Sequence, residues 1–163
     1  MADLILRNCR LFQQDNAVDI AIKDGRILDI QEKITAQVSQ EIDCSGLLVT
    51  PPFVEPHIHL DSVLTGGEPR WNQSGTLFEG IQIWGERKKS LTREDVKTRA
   101  LEALKLMASQ GVLYVRTHVD VTEPQLIALD ALLELREEVR SWTMLQVVAF
   151  PQDGIYSAPQ NEG

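Results

Sequence analysis

The stretch FVEPHIHLDS, residues 53–62, sets His57 and His59 two positions apart in an extended apolar run and uses two of the chain's three histidines. Alternate side chains of a strand point to the same side, so the two imidazoles project together, about 6 to 7 Å apart along the chain. Rings so placed can share one cation, and two hydrogen-bonded histidines near a strand end would show the same spacing. The surroundings favour the cation. Pro56 precedes the pair, Asp61 follows it, and a long irregular stretch begins where it ends.

N-terminal to this stretch the chain reads as strands joined by turns. LILRNCRLF alternates in part, and VDIAIKDGRILDI places Val18, Ile20 and Ile22 on one face before an Asp24-Gly25 turn and a return arm through Ile27 and Ile30, which predicts a hairpin. A further strand around residues 41–60 is interrupted at Pro51-Pro52, because proline cannot donate to a ladder.

C-terminal to it the period changes. TGGEPRWNQSG is irregular, and TLFEGIQIWGERKK, with Leu77, Ile81 and Trp84 at helical spacing, predicts a short helix within a segment long enough to cover a site. Thr92 with Glu94 and Asp95 starts a helix whose stripe is Val96, Ala100, Leu104 and Met107, ended by Gly111. VLYVRTHVDV (112–121) follows as a strand. Thr122 and Gln125 fit a capping box for a helix with stripe Leu126, Leu129, Leu133 and Val139, and TMLQVVAFPQ (143–152) is a third apolar strand.

Residues 53–152 thus alternate strand, helix, strand, helix, strand, with strands so apolar that both faces should be covered. That is the pattern of a parallel sheet with right-handed crossovers, either doubly wound or a (β/α) barrel. Three strands cannot close a barrel. The expectation is a mixed α/β chain divided into a small β domain over residues 1–50 and, over 51–163, three β/α units of an unfinished doubly wound sheet or barrel, with a third helix after Gly163.

Twenty-four acidic against sixteen basic residues give a net charge of -8, which disfavours nucleic acid and anionic lipid as partners and favours neutral or cationic small molecules. The start, MADLILRNCRLF, lacks a secretory signal pattern, and no apolar run approaches the roughly 18 residues that span a bilayer, so a cytoplasmic location is expected. Cys9 and Cys44 read as small buried hydrophobes. The run Glu86-Arg87-Lys88-Lys89 reads as a solvated helix end, and Trp71, Trp84 and Trp142 as packing residues. Arg116, His118 and Asp120 share one strand face, where His118 reads as a core histidine or as support for a site rather than a metal ligand. The H-x-E and P-C-x-x-C pattern of zinc deaminases that edit flipped bases is absent.

FVEPHIHLD resembles the metal-binding strand of the amidohydrolase superfamily, and the longer block from Pro51 to Ala100, with RTHVDV at 116–121 and VVAFPQDGI at 147–155, resembles the bacterial cytosine deaminase branch. The resemblance implies the N-terminal portion of a metal-dependent (β/α)8 barrel preceded by a small β-sandwich-like domain. It implies His57 and His59 as the first two ligands of one divalent ion, Fe(II) or Zn(II), that activates water for deamination of cytosine to uracil and ammonia. Gln152 would bond the pyrimidine amide edge, the backbone of Leu77 would meet a ring N–H, and the substrate would be a small nucleobase in a homo-oligomeric enzyme. A Glu, two further His and an Asp of the family would lie beyond Gly163, so no catalytic residue is assigned within this chain, and the chain alone is expected to be inactive and to expose apolar surface. Alternatives are a related amidohydrolase acting on isoguanine or an s-triazine, and a non-catalytic binding or assembly module.

Overall fold

The structure, a computed structural model, describes residues 2–154 of the chain in two units that meet between Pro51 and Pro52. Ile155, which ends the VVAFPQDGI block, and the residues to Gly163 lie outside the described part.

The first unit is a sheet built from β1 (Leu4–Leu11), β2 (Val18–Lys23), β3 (Arg26–Gln31), β4 (Gln40–Asp43) and the short β5 (Leu48–Val49). Its order is β3-β2-β1-β4, antiparallel from β1 to β3, with β4 and then β5 parallel to β1. The Asp24-Gly25 turn closes the β2–β3 hairpin with φ of 49° and 71°, the paired positive values that a two-residue hairpin loop requires. Cys9, Val18, Ile20 and Cys44 pack together, and both thiols are free and buried. Asp19 is buried too. It accepts Arg7 Nη1 at 2.7 Å and the backbone N–H groups of Asn8 and Ile34. Burial opposes its charge, but these donors outweigh it and hold the carboxyl below its ordinary range.

The second unit is a parallel sheet, β6 (Phe53–Ile58), β7 (Val112–Asp120) and β8 (Met144–Phe150) in that order, with helices α1 (Leu77–Arg87), α2 (Arg93–Ser109) and α3 (Ile127–Val139). Thr92 caps α2 by accepting the Asp95 N–H, and Val96, Ala100, Ala103 and Leu104 are buried. Together with Ala128, Ala131, Leu132, Leu135 and Val139 of α3 and the strand residues Val115, Val119 and Leu145 they form the core. No helix of the described residues is long and apolar enough to cross a membrane.

Two expectations are corrected here. The Thr122–Gln125 capping box does not form. Leu126 precedes α3 in the left-handed region, at φ 52°, and the Glu123 carboxylate accepts the N–H groups of Gln125 and Ile127 instead. Of the expected stripe Val139 is buried and Leu129 packs on the core, but Leu133 is exposed, and Ala128, Ala131, Leu132 and Leu135 complete the buried face. Nor are both sheet faces covered: α2 and α3 pack on the face of Val115, Thr117 and Val119, while Val54, Tyr114 and Met144 remain exposed, the apolar surface that an open three-stranded sheet is expected to show. Near-continuous apolarity shows that a strand has two apolar faces, without showing what lies against each.

Candidate metal centre

The register of β6 on β7 shifts twice, between Phe53 and Val54 and again between Glu55 and Ile58, and the second shift lies at the histidines. Glu55 pairs with Val115 and Ile58 with Thr117, so three steps along β6 match two along β7, a bulge at Pro56-His57. Pro56 has no N–H to lose there, and the His57 N–H goes to the Glu55 carboxylate at 3.0 Å. Beyond the bulge Ile58 packs toward the helices, and His57 and His59 stand on the opposite side.

Their ring centroids are 5.4 Å apart. His118 of β7 stacks on His57 at 4.0 Å with planes 19° apart, and lies 6.0 Å from His59. Phe150, the last residue of β8, meets His59 edge-on at 5.3 Å and His118 at 6.2 Å. Three adjacent parallel strands thus deliver four rings to their C-terminal ends, the end at which barrels of this type carry their ligands.

Behind His59 lies Asp61, only 1 % exposed, with Oδ1 3.9 Å from His59 Nδ1. Its other oxygen accepts the Asp120 N–H at 2.8 Å. Burial, with the nearby charge of Asp120, pushes the Asp61 carboxyl up to about 6. Among the described residues, Asp61 Oδ1 and His118 Nδ1 are buried side-chain atoms without a hydrogen-bond partner. Burial and neighbouring positive charge also lower His59 and His118, which favours the neutral imidazole needed for coordination.

This arrangement fits a metal as part of a site. Two imidazoles 5.4 Å apart lie within the span of a shared cation with bonds of about 2.1 Å, and a carboxylate behind His59 Nδ1 leaves Nε2 as its outward nitrogen. No group of three or more His, Cys, Asp or Glu among the described residues converges on one point. His118 lies flat against His57 rather than pointing with it toward a common centre.

The segment after His59 folds back over these strand ends. The Leu60 N–H donates to Thr117 Oγ1 at 2.9 Å, and Arg99 of α2 donates to the carbonyls of Asp61 and Val63. Arg87 binds Glu68 and Asp95, and Trp84 Nε1 donates to Asp120 at 3.2 Å. A cleft of about 380 Å³ opens between residues 62–72 and α1, with Trp71 and Trp84 in its wall. α1 itself buries none of its residues. Leu77 opens it, capped by Thr76 and exposed, and no described hydrogen bond or ring contact joins Leu77 to the histidines. Gln152 lies half-buried in the turn after β8, where its N–H donates to the Phe150 carbonyl.

In the run at residues 86–89, Lys89 is exposed as expected, and Arg87 and Lys88 are a further correction. Arg87 and Lys88 are 10 % and 13 % exposed, because carboxylates from α2, β7 and the turn after β8 draw them inward. A cationic run looks solvated in sequence when its acidic partners are remote along the chain. Asp61 was visible in principle, since it continues the alternation of His57 and His59, whereas Phe150 and Thr117 carried no signal beyond an apolar strand.

Residues 40–163 match the pattern of the amidohydrolase family. The N-isopropylammelide isopropyl amidohydrolase of Pseudomonas sp. (strain ADP) is 37 % identical over 98 % of this chain and 41 % of its own length. The crystal structure of 5-methylcytosine deaminase from Klebsiella pneumoniae liganded with 5-fluorocytosine superposes with a TM-score of 0.89 and 49 % identity, over 96 % of this chain and 38 % of that one. N-isopropylammelide isopropylaminohydrolase from Burkholderia multivorans gives 0.81 and 30 %, over 99 % and 40 %. The chain spans about two-fifths of the length of these relatives and matches their N-terminal part. With sequence and fold in agreement over nearly all its residues, the chain belongs to the amidohydrolase family of metal-dependent hydrolases.

Proposed function

We propose that the complete protein carrying this chain is a hydrolase that deaminates a cytosine-type pyrimidine, releasing ammonia, and that His57 and His59 are two of the ligands of its divalent ion, Fe(II) or Zn(II). The observation that carries the reading is the placement of both imidazoles on one side of the strand ends with a buried carboxylate behind His59. The 49 % identity to the Klebsiella 5-methylcytosine deaminase supports the substrate class. Bound there, a divalent ion supplies Lewis acidity that makes a water nucleophilic near neutral pH.

The chain's own residues bind, orient and shield. Asp61 Oδ1, 3.9 Å behind His59 Nδ1, favours the tautomer whose Nε2 faces outward, and the Phe150 ring packs against His59 and His118. The Gln152 amide offers a donor and an acceptor side by side, the complement of an amide edge on a neutral ring, and the Leu77 backbone takes a ring N–H. A second reading, loss of an alkylamine from an s-triazine, is favoured by the 37 % identity to the Pseudomonas isopropylammelide enzyme.

The complete protein, loaded with metal, should be offered cytosine, 5-methylcytosine and N-isopropylammelide while ammonia and isopropylamine are measured. Ammonia from the pyrimidines alone is expected. His57→Ala and His59→Ala should each abolish bound metal and lower turnover by about 10³-fold or more, with unchanged circular dichroism. Isopropylamine as the sole product would establish the second reading, and full turnover by either variant would refute the assignment of the ligands.

A further inference from the structure

We propose that Lys88 is a positioning residue for substrate recognition, a charged latch that sets the turn bearing Gln152 against the strand ends. The inference rests on the reading of Gln152 as a substrate contact. Lys88 follows α1 directly, so its place depends on how the covering segment folds back. Its ammonium donates to Asp120 Oδ2 at 3.0 Å, Thr122 Oγ1 at 2.9 Å and Asp153 Oδ2 at 2.6 Å. Three N–H groups thus meet three acceptors, two at the end of β7 and one in the turn after β8.

The two ends of the latch differ in firmness. Asp120 is 4 % exposed and anchored from all sides: its N–H goes to Asp61, one carboxylate oxygen takes the Thr122 N–H and hydroxyl, and the other takes Trp84 and Lys88. Asp153 is 41 % exposed, in a turn closed by the bonds from Gln152 N–H to the Phe150 carbonyl and from Gly154 N–H to the Pro151 carbonyl. In the described contacts Lys88 ties it to β7, and the Thr122 hydroxyl, 3.1 Å from Asp153 Oδ2, has a single proton that it shares with Asp120. Asp153 is the residue after Gln152, so what fixes one carboxylate fixes the neighbouring amide.

Electrostatics makes the dependence steep. Asp120 and Asp153 both lie within 3.0 Å of one ammonium, so its removal leaves a buried carboxylate facing a part-exposed one with no cation between them. The turn must then move outward, and Gln152 with it. Two parallel hydrogen bonds to a flat ring tolerate displacements of only about 0.5 Å and 10–20°. One residue of the covering segment thereby couples that segment to the proposed selection of substrate.

The test uses the complete, metal-loaded protein and Lys88→Met, Lys88→Arg, Asp153→Asn and Gln152→Ala. Lys88→Met should raise KM for the pyrimidine about tenfold or more with a smaller change in kcat, and the Gln152 and Gly154 amides should exchange hydrogen about tenfold faster. Lys88→Arg should recover most of both effects. Asp153→Asn, a change at a part-exposed position that leaves no second carboxylate to repel Asp120, should show a milder form of the same pattern. If Gln152→Ala raises KM while Lys88→Met and Asp153→Asn leave KM and exchange of the turn as they were, the latch is refuted and the Gln152 reading survives. If Gln152→Ala itself leaves KM unchanged, the Gln152 reading fails and the inference fails with it.

Discussion

His118 lies face to face with His57, centroids 4.0 Å apart and planes 19° apart, although the two residues come from different strands and are 61 positions apart in sequence. A flat neighbour limits the rotation of His57 about its side-chain bonds, so less freedom is lost when the ring takes a ligand. His118→Ala is therefore expected to weaken binding of Zn(II) by the complete protein about tenfold, while His118→Phe, which keeps a flat face without a donor nitrogen, should retain most of the affinity. Competition with a chromophoric chelator measures both. Equal losses in Ala and Phe would instead mark the His118 nitrogens as the operative groups.

Thr117 is fully buried and accepts the Leu60 N–H that ends the histidine strand. Thr117→Val keeps the shape and removes the acceptor, leaving a buried donor without a partner at a cost of about 1–3 kcal/mol. Urea unfolding followed by tryptophan fluorescence should show that loss for Val and little for Ser. Bound metal should fall with Val as well, because the turn carrying His59 would no longer be pinned.

In the first unit the pH dependence has a definite sign. Asp19 titrates below its unfolded value of about 3.9, so its stabilisation is complete above that value and is lost as pH falls through the lower folded-state value. Asp19→Asn should cost about 2 kcal/mol at pH 7, and the gap to the parent protein should narrow at pH 3. Hydrogen exchange across β1 and β2 reads the difference. A gap of equal size at both values would show that hydrogen-bond shape, and not charge, accounts for the effect.

Local rules in the sequence anticipated what local chemistry decides. Asp24-Gly25 turned the hairpin, Thr92 capped α2, and Val96, Ala100 and Leu104 faced the core as their spacing predicts. Failures came where a remote group intervened. Leu126 entered the left-handed region while the Glu123 carboxylate replaced the expected cap, and Lys88 turned inward toward Asp153, 65 positions away. Of the candidate site, the H-x-H spacing was legible because strand periodicity is local. The stack on His118, the edge of Phe150 and the carboxylate behind His59 depend on strand order and register, which no window of sequence contains.

The extra residue at Pro56-His57 implies an unequal tolerance to different kinds of mutation. Substitutions in β6 change one side chain each, but loss of one residue between Glu55 and Ile58 would set two steps opposite two and erase the bulge, with Ile58 still opposite Thr117. Ile58 and His59 would keep their faces, and the seat that the bulge gives His57 would be lost. Among diverged descendants of this sequence, length between positions 55 and 58 should accordingly vary less than residue identity does.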